Sequence, residues 1–102
     1  MKIDAHQHFW KYNAGQYPWM GESVGHLRRD YLPDHLVPLL KAAGIDGTVS
    51  MQARRMVEES DWLLELADQN PFIKGVVGWI DVRSAMVEEQ LETLTATPSF
   101  VA

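Results

Sequence analysis

The apolar residues of this 102-residue chain change period several times, and each change marks an element. Lys2 to Ala5 is a short alternating segment that leads into His6-Gln7-His8. From Phe9 to about Leu32 no period holds. Gly15, Pro18, Gly21 and Gly25 break that stretch, and Phe9, Trp10, Tyr12, Tyr17, Trp19 and Tyr31 stud it. It reads as a long functional loop with at most a short helical turn. Pro33 to Ala43 predicts a helix. Pro33 suits the first position, Asp34 complements the dipole, Leu36, Leu39, Leu40 and Ala43 form a stripe, and Gly44 is the stop. Pro38 is the awkward residue inside it. Ile45 to Ala53 alternates as a strand, with Val49, Met51 and Ala53 on one face and Thr48, Ser50, Gln52 and Arg54 on the other. Met56 to Asn70 predicts a second helix with Met56, Leu63, Leu66 and Ala67 inward. Phe72 to Asp81 predicts a third strand, with Gly75 and Gly78 as close-packing positions inside it. Ser84 then caps a helix to about Ala96 with Val87, Leu91 and Leu94 inward, and Ser99 to Ala102 opens a fourth strand.

Strands alternating with helices predict an α/β fold with a parallel sheet. Composition narrows the functions. With 46% apolar and 23% charged residues the chain is globular rather than disordered. A net charge of −5 argues against a nucleic-acid-binding surface. No apolar run approaches the ~18 residues of a membrane span, and no basic–apolar leader follows Met1. The absence of cysteine excludes disulfides, thiolate metal sites and a Cys nucleophile, and fits a reducing compartment, so a cytoplasmic location is expected. No G-x-S-x-G elbow, phosphate loop or dinucleotide fingerprint occurs.

The chemistry concentrates at the predicted strand ends. His6 and His8, two apart, leave the same face of the first strand together with Asp4, while Ile3 and Ala5 take the helix-packing face. Neutral imidazoles so placed are good ligands for a zinc-like divalent ion, and the alternative is a satisfied structural pair. Gln52 and Arg54 end the second strand. Arg54 either clamps a carboxylate or pairs with Glu58 or Glu59 at the surface. Near the end of the third strand, Trp79 and Asp81 share a face, and Asp81 either orients a histidine, binds substrate hydroxyls or caps the following turn. Trp10, Trp19 and Trp79 are expected to gather at this end, as an aromatic wall and lid over a polar site or as packing for the loop. His26, Arg28, Arg29 and Asp30 read as a solvated charge cluster, and His35 as a surface residue.

Lys2 to Trp10, the Tyr17-Pro18-Trp19 loop, Gly44 to Val49, Met51-Gln52-Ala53-Arg54 and Gly75 to Asp81 together resemble the amidohydrolase-related metal-dependent hydrolases. The likeness is greatest to their sugar-lactonase-like branch and covers essentially the whole chain. The resemblance implies a (β/α)8 barrel with the site at the C-terminal strand ends. It implies His6 and His8 as the strand-one histidines and water attack on the carbonyl of a small lactone, polarised by a divalent ion or by site groups. It implies further histidines and an aspartate base on later strands. Such a barrel takes about 250 residues. The chain is therefore expected to be the N-terminal portion, about three βα units, of a larger hydrolase, and to be inactive alone. Two alternatives stand beside the lactonase: a decarboxylase or C–C hydrolase of the same superfamily acting on a carboxylate substrate, and a non-catalytic α/β module that self-associates through open strand edges.

Overall fold

The computed structural model describes residues 1–102. Three parallel strands, β1 (Ile3–Gln7), β2 (Gly47–Met51) and β3 (Ile73–Val77), lie in the order β1-β2-β3. A helix follows each strand: α1 (Pro33–Ala43), α2 (Val57–Gln69) and α3 (Val87–Thr95). Phe100 continues the progression. It bridges Val76 in parallel, the Val76 amide donates to the Ser99 carbonyl at 2.7 Å, and the Val101 amide donates to the Val76 carbonyl at 2.9 Å. The expected entry to a fourth strand is therefore present at the outer edge of β3. Strand order that only advances is the order of a barrel, since a doubly wound sheet reverses around its first strand.

Only one face of the sheet is covered. Leu63, Leu64 and Ala67 of α2 and Leu94 of α3 pack on Ile73, Val76 and Phe9 as the core, with Leu36 of α1 at its margin. The molecule is accordingly a slab, with principal extents of 44 × 37 × 18 Å. Gln7, Ser50 and Val76 lie in register across the strands, and the Ser50 hydroxyl donates to Gln7 Oε1 at 3.0 Å. Because Val76 belongs to the core, this row faces the helices, and His6 and His8 on either side of Gln7 project to the open face.

That register corrects the expected faces of β2. Thr48 and Ser50 are fully buried, whereas Val49 and Met51 are only half-buried. The Ser50 hydroxyl finds a partner in Gln7 and is buried at little cost, whereas the buried Thr48 hydroxyl has none. Bulges between Asp4 and Gln7 and between Thr48 and Val49 also break simple alternation. Ile3 and Ala5 are exposed rather than packed under helices.

β2 and β3 are shorter than expected because the backbone beyond them bonds elsewhere. Glu59 takes the amides of Ala53 and Arg54, and Ser60 takes that of Trp79. The stripe of α1 is covered only at Leu40 and partly at Leu36, while Leu39 and Ala43 face outward. Met56 and Leu91 are likewise exposed, and Glu59, Ser60 and Leu64 occupy interior positions of α2 instead. Ser84 caps the turn ahead of α3, accepting from the Met86 amide at 3.1 Å, rather than the helix itself. α1 runs through Pro38 unbroken and ends on Gly44 in the left-handed conformation, φ 70°. His35 is exposed, and its Nδ1 accepts the Leu32 amide at the start of α1.

The stretch between β1 and α1 is folded. Trp10 and Tyr31 form an antiparallel bridge that closes it. Trp10, Tyr17 and Met20 make a small core of their own, with Tyr12, Val24, Leu27 and Tyr31 packed around it. A 3-10 segment, Glu22–Leu27, supplies the helical turn. The polar residues brace the loop: Arg28 Nε donates to the Met20 carbonyl, Asp30 accepts the Tyr12 amide, and Arg29 lies over the Tyr31 ring at 4.5 Å. His26, Arg28, Arg29 and Asp30 are all exposed, as expected of a solvated cluster, and the last three also brace the loop.

Candidate active site

His6 closes β1 on its open face and His8 follows the strand. Their Nε2 atoms stand 3.1 Å apart, with the rings edge-on at 71°. His8 Nδ1 lies 3.1 Å from the Met51 carbonyl. A carbonyl only accepts, so the neutral ring carries its proton on Nδ1 and leaves a bare lone pair on Nε2. β2 thus fixes both the ring and the tautomer of a histidine on the neighbouring strand. Asp4, expected beside them, turns its carboxylate to the His6 amide at 3.1 Å.

Two imidazole nitrogens on one tetrahedral ion, each ~2.0–2.1 Å from it, sit about 3.3 Å from each other. The observed separation is within a few tenths of an ångström of that value, so the donors fit two corners of a zinc-like site. No group of three His, Cys, Asp or Glu side chains is placed to hold an ion. The chain offers a pair of ligands, where catalytic zinc normally takes three from protein.

Beside His8 opens a cleft of about 280 Å³, lined by His8, Trp10, Trp19, Gln52, Ala53 and Arg55. Four expected site residues, His8, Trp10, Trp19 and Gln52, therefore meet. The two tryptophans differ in character. Trp10 is 8% exposed, and its Nε1 donates to the Leu27 and Arg29 carbonyls, so it holds the loop together and presents only an edge. Trp19 is 55% exposed, and is the aromatic wall of the cleft.

Arg54 does not reach this cleft. Its Nε lies 4.0 Å from Glu59 Oε2 and its guanidinium 5.5 Å from the Tyr17 ring centroid, in a separate hollow that includes Trp62. Trp79 and Asp81 also stand apart from the cleft. The Trp79 backbone is tied to Ser60, and Asp81 caps the next turn, accepting the Arg83 amide at 3.0 Å.

The pairing of Arg54 with Glu59, one of the expected alternatives, holds, though in the interior rather than at the surface, and Glu59 and Arg55 complete the picture. Glu59, 1% exposed, accepts the Ala53 and Arg54 amides at 2.9 and 3.0 Å on one oxygen and so shapes the turn that carries Gln52 and Arg55. Burial pushes its carboxyl above the ordinary range, and the amides of Arg54 and Ala53 and the charges of Arg54 and His8 hold the rise back. Burial also pushes the Tyr17 phenol up, against the nearby Arg54 charge. Arg55 enters neither of the two ion pairs in the chain.

No family model matches the chain. An L-fucono-1,5-lactonase of Burkholderia multivorans is 46% identical over 91 residues, which cover 89% of this chain and 31% of the relative. One of Burkholderia ambifaria is 34% identical over 99 residues, covering 97% of this chain and 34% of the relative. The crystal structure of an amidohydrolase from Burkholderia multivorans with bound zinc superposes with a TM-score of 0.86 at 46% identity, over 90% of this chain and 32% of that one. Over nearly its whole length the chain is thus similar to part of an amidohydrolase. It spans about a third of the length of the curated relatives it matches, and its advancing parallel sheet corresponds to the N-terminal part of an amidohydrolase barrel. No helix of the chain is long and apolar enough to cross a membrane.

Proposed function

We propose that these residues form the first part of a hydrolase that opens a small sugar-acid lactone, with His6 and His8 as two ligands of a divalent ion, zinc by preference. The observation that carries the reading is the convergence of the two Nε2 atoms at 3.1 Å at the end of β1, next to the cleft. When bound there, the ion supplies Lewis-acid polarisation of the carbonyl and a water of lowered pKa. The chain's own residues do the rest of this part of the work. Met51 locks the His8 tautomer that exposes a lone pair. Trp19 offers a flat apolar face to the ring carbons of the substrate, and Gln52 an amide to its hydroxyls. Arg54, Trp79 and Asp81 serve the architecture around the site. The remaining ligands and the general base come from strands beyond β3 of a (β/α)8 barrel. The setting proposed is cytoplasmic, and the open edge of β1 is where the short chain self-associates.

The lactonase names of two relatives, each at least 34% identical, support this substrate class. The decarboxylase and C–C hydrolase alternative calls for arginines facing the site; Arg54 is engaged with Glu59, while Arg55 borders the cleft, so product analysis separates the two readings. The test is proton release by the full-length protein against a panel of 1,5- and 1,4-aldonolactones, with and without added Zn²⁺ or Mn²⁺. Hydrolysis of sugar lactones is expected, with no turnover by the 102-residue chain alone. A full-length protein that opens no lactone under any of these conditions refutes the reading.

A further inference from the structure

The turn after β2 carries adjacent arginines with opposite fates. Arg54 is drawn inward, with its backbone amide on Glu59 Oε1 at 3.0 Å and its side chain between Glu59 and Tyr17. Its side chain is 16% exposed, with Nε 4.0 Å from Glu59 Oε2. The chain bends at Arg54 and Arg55 between β2 and α2, and while Arg54 packs inward, Arg55 is exposed on the other side of the bend. That side borders the cleft shared by His8, Trp19 and Gln52. No carboxylate pairs with Arg55, and no aromatic ring stacks on it. The cleft thus combines a cation without a counter-charge, an amide, an aromatic face and the inner histidine.

We propose that Arg55 is a specificity-determining residue that binds the carboxylate formed when a lactone ring opens, with Glu59 as the positioning residue that commits Arg54 inward and leaves Arg55 free. The assignment rests on the lactonase reading for its choice of ligand. Hydrolysis breaks the acyl–oxygen bond of the ring. The water oxygen joins the acyl carbon, one proton goes to the ring oxygen to make a hydroxyl, and the other leaves the new acid, so a neutral substrate becomes an anion. A guanidinium meets both carboxylate oxygens at once, a geometry the lactone does not present. Arg55 therefore discriminates product from substrate.

The experiment is calorimetric titration of the full-length protein with L-fuconate and with its neutral counterpart L-fucitol, at two salt concentrations. Loss of a charge-assisted contact weakens binding by about tenfold or more. Arg55→Met is expected to lose that factor for L-fuconate, to stay within about twofold for L-fucitol, and to lose the salt dependence that the unaltered protein shows. Arg55→Lys is expected to recover most of the anion affinity. Arg55 is exposed and unpaired, so both variants are expected to keep the unaltered melting temperature. Equal weakening for both ligands, unchanged L-fuconate affinity in Arg55→Met, or a lactone-hydrolysing protein that binds no L-fuconate each overturns the proposal. A protein that hydrolyses no lactone yet shows the expected Arg55 pattern overturns the lactonase reading and leaves the anion site standing.

Discussion

A methyl group added at Gly78 is the sharpest probe of how this structure is held together. An ideal Cβ there lies 2.5 Å from Ser60 Oγ, 3.0 Å from Ser60 Cβ and 3.2 Å from Phe100 Cε2. Non-bonded atoms rest about 3.5 Å apart, so in Gly78→Ala the hydroxyl retreats by about 1 Å. That hydroxyl accepts the Trp79 amide at 2.9 Å and donates to the Trp79 carbonyl at 3.0 Å, and Ser60 is fully buried. Displacement stretches both bonds beyond the usable range. Each net hydrogen bond is worth roughly 0.5–1.5 kcal/mol, and a buried polar group left alone costs roughly 1–3 kcal/mol, so the substitution costs about 2–4 kcal/mol. A chain of this size has about 5–15 kcal/mol in total. Urea unfolding followed by tryptophan fluorescence reads the loss directly. With a slope of roughly 1–3 kcal/mol per molar, the midpoint falls by about 0.7–4 M. Ser60→Gly removes the obstacle, so adding Gly78→Ala to it is expected to cost less than about 1 kcal/mol further. An unchanged midpoint in Gly78→Ala, or two single effects that simply add, refutes the argument.

Three other expectations follow from the same coordinates. Glu59 has a raised folded pKa, so its contribution to stability is complete below 4.5 and is lost as pH rises through the folded value. Glu59→Gln removes that term, and its unfolding free energy should fall less than that of the unaltered chain between pH 4.5 and neutrality; parallel pH profiles from urea titrations count against it. Trp10→Ala, at a buried position, should destabilise by about 3 kcal/mol or more, whereas Trp19→Ala should leave the unfolding midpoint nearly unchanged and raise KM for a lactone in the full-length protein. His6→Ala and His8→Ala should each lower zinc retention of the full-length protein on dialysis, measured by atomic absorption, and full retention in both variants dismisses the pair as ligands.

Most of the architecture is legible in the sequence because its signals are local. Pro33 and Gly44 delimit α1 to the residue, and strands separated by helices announce a parallel sheet. His6 and His8 are readable because spacing of two at a strand end puts both rings on one side. The face of β2 is not readable by the same rule. Thr48 and Ser50 share a polar face with Gln52 in the sequence, and which way that face turns is set by the Ser50–Gln7 pairing, which spans 43 residues. Glu59 is legible as a partner for Arg54, but its burial and its hold on the turn escape for a related reason. Its partners are backbone amides, which leave no trace in residue type, although an acid in the first turn behind the poor cap Met56 was an available signal. Arg54 and Arg55 are indistinguishable in a string of letters, and only the Glu59 contact sorts them. The outward-facing Leu39 and Leu91 follow the helical period but have no neighbouring element to meet.

The Trp10–Tyr31 bridge has a kinetic consequence. It pins the ends of the loop together, and Tyr17 and Met20 fill the interior, so the chain entropy of ordering this segment is already spent before any ligand arrives. A wall built this way does not swing shut over its guest. Ligand entry should therefore run at a diffusion-controlled rate set by the width of the mouth, with a single phase in rapid mixing and no slow isomerisation behind it. Only the indole of Trp19, free at the rim, has room to reorient, and such turns finish in nanoseconds.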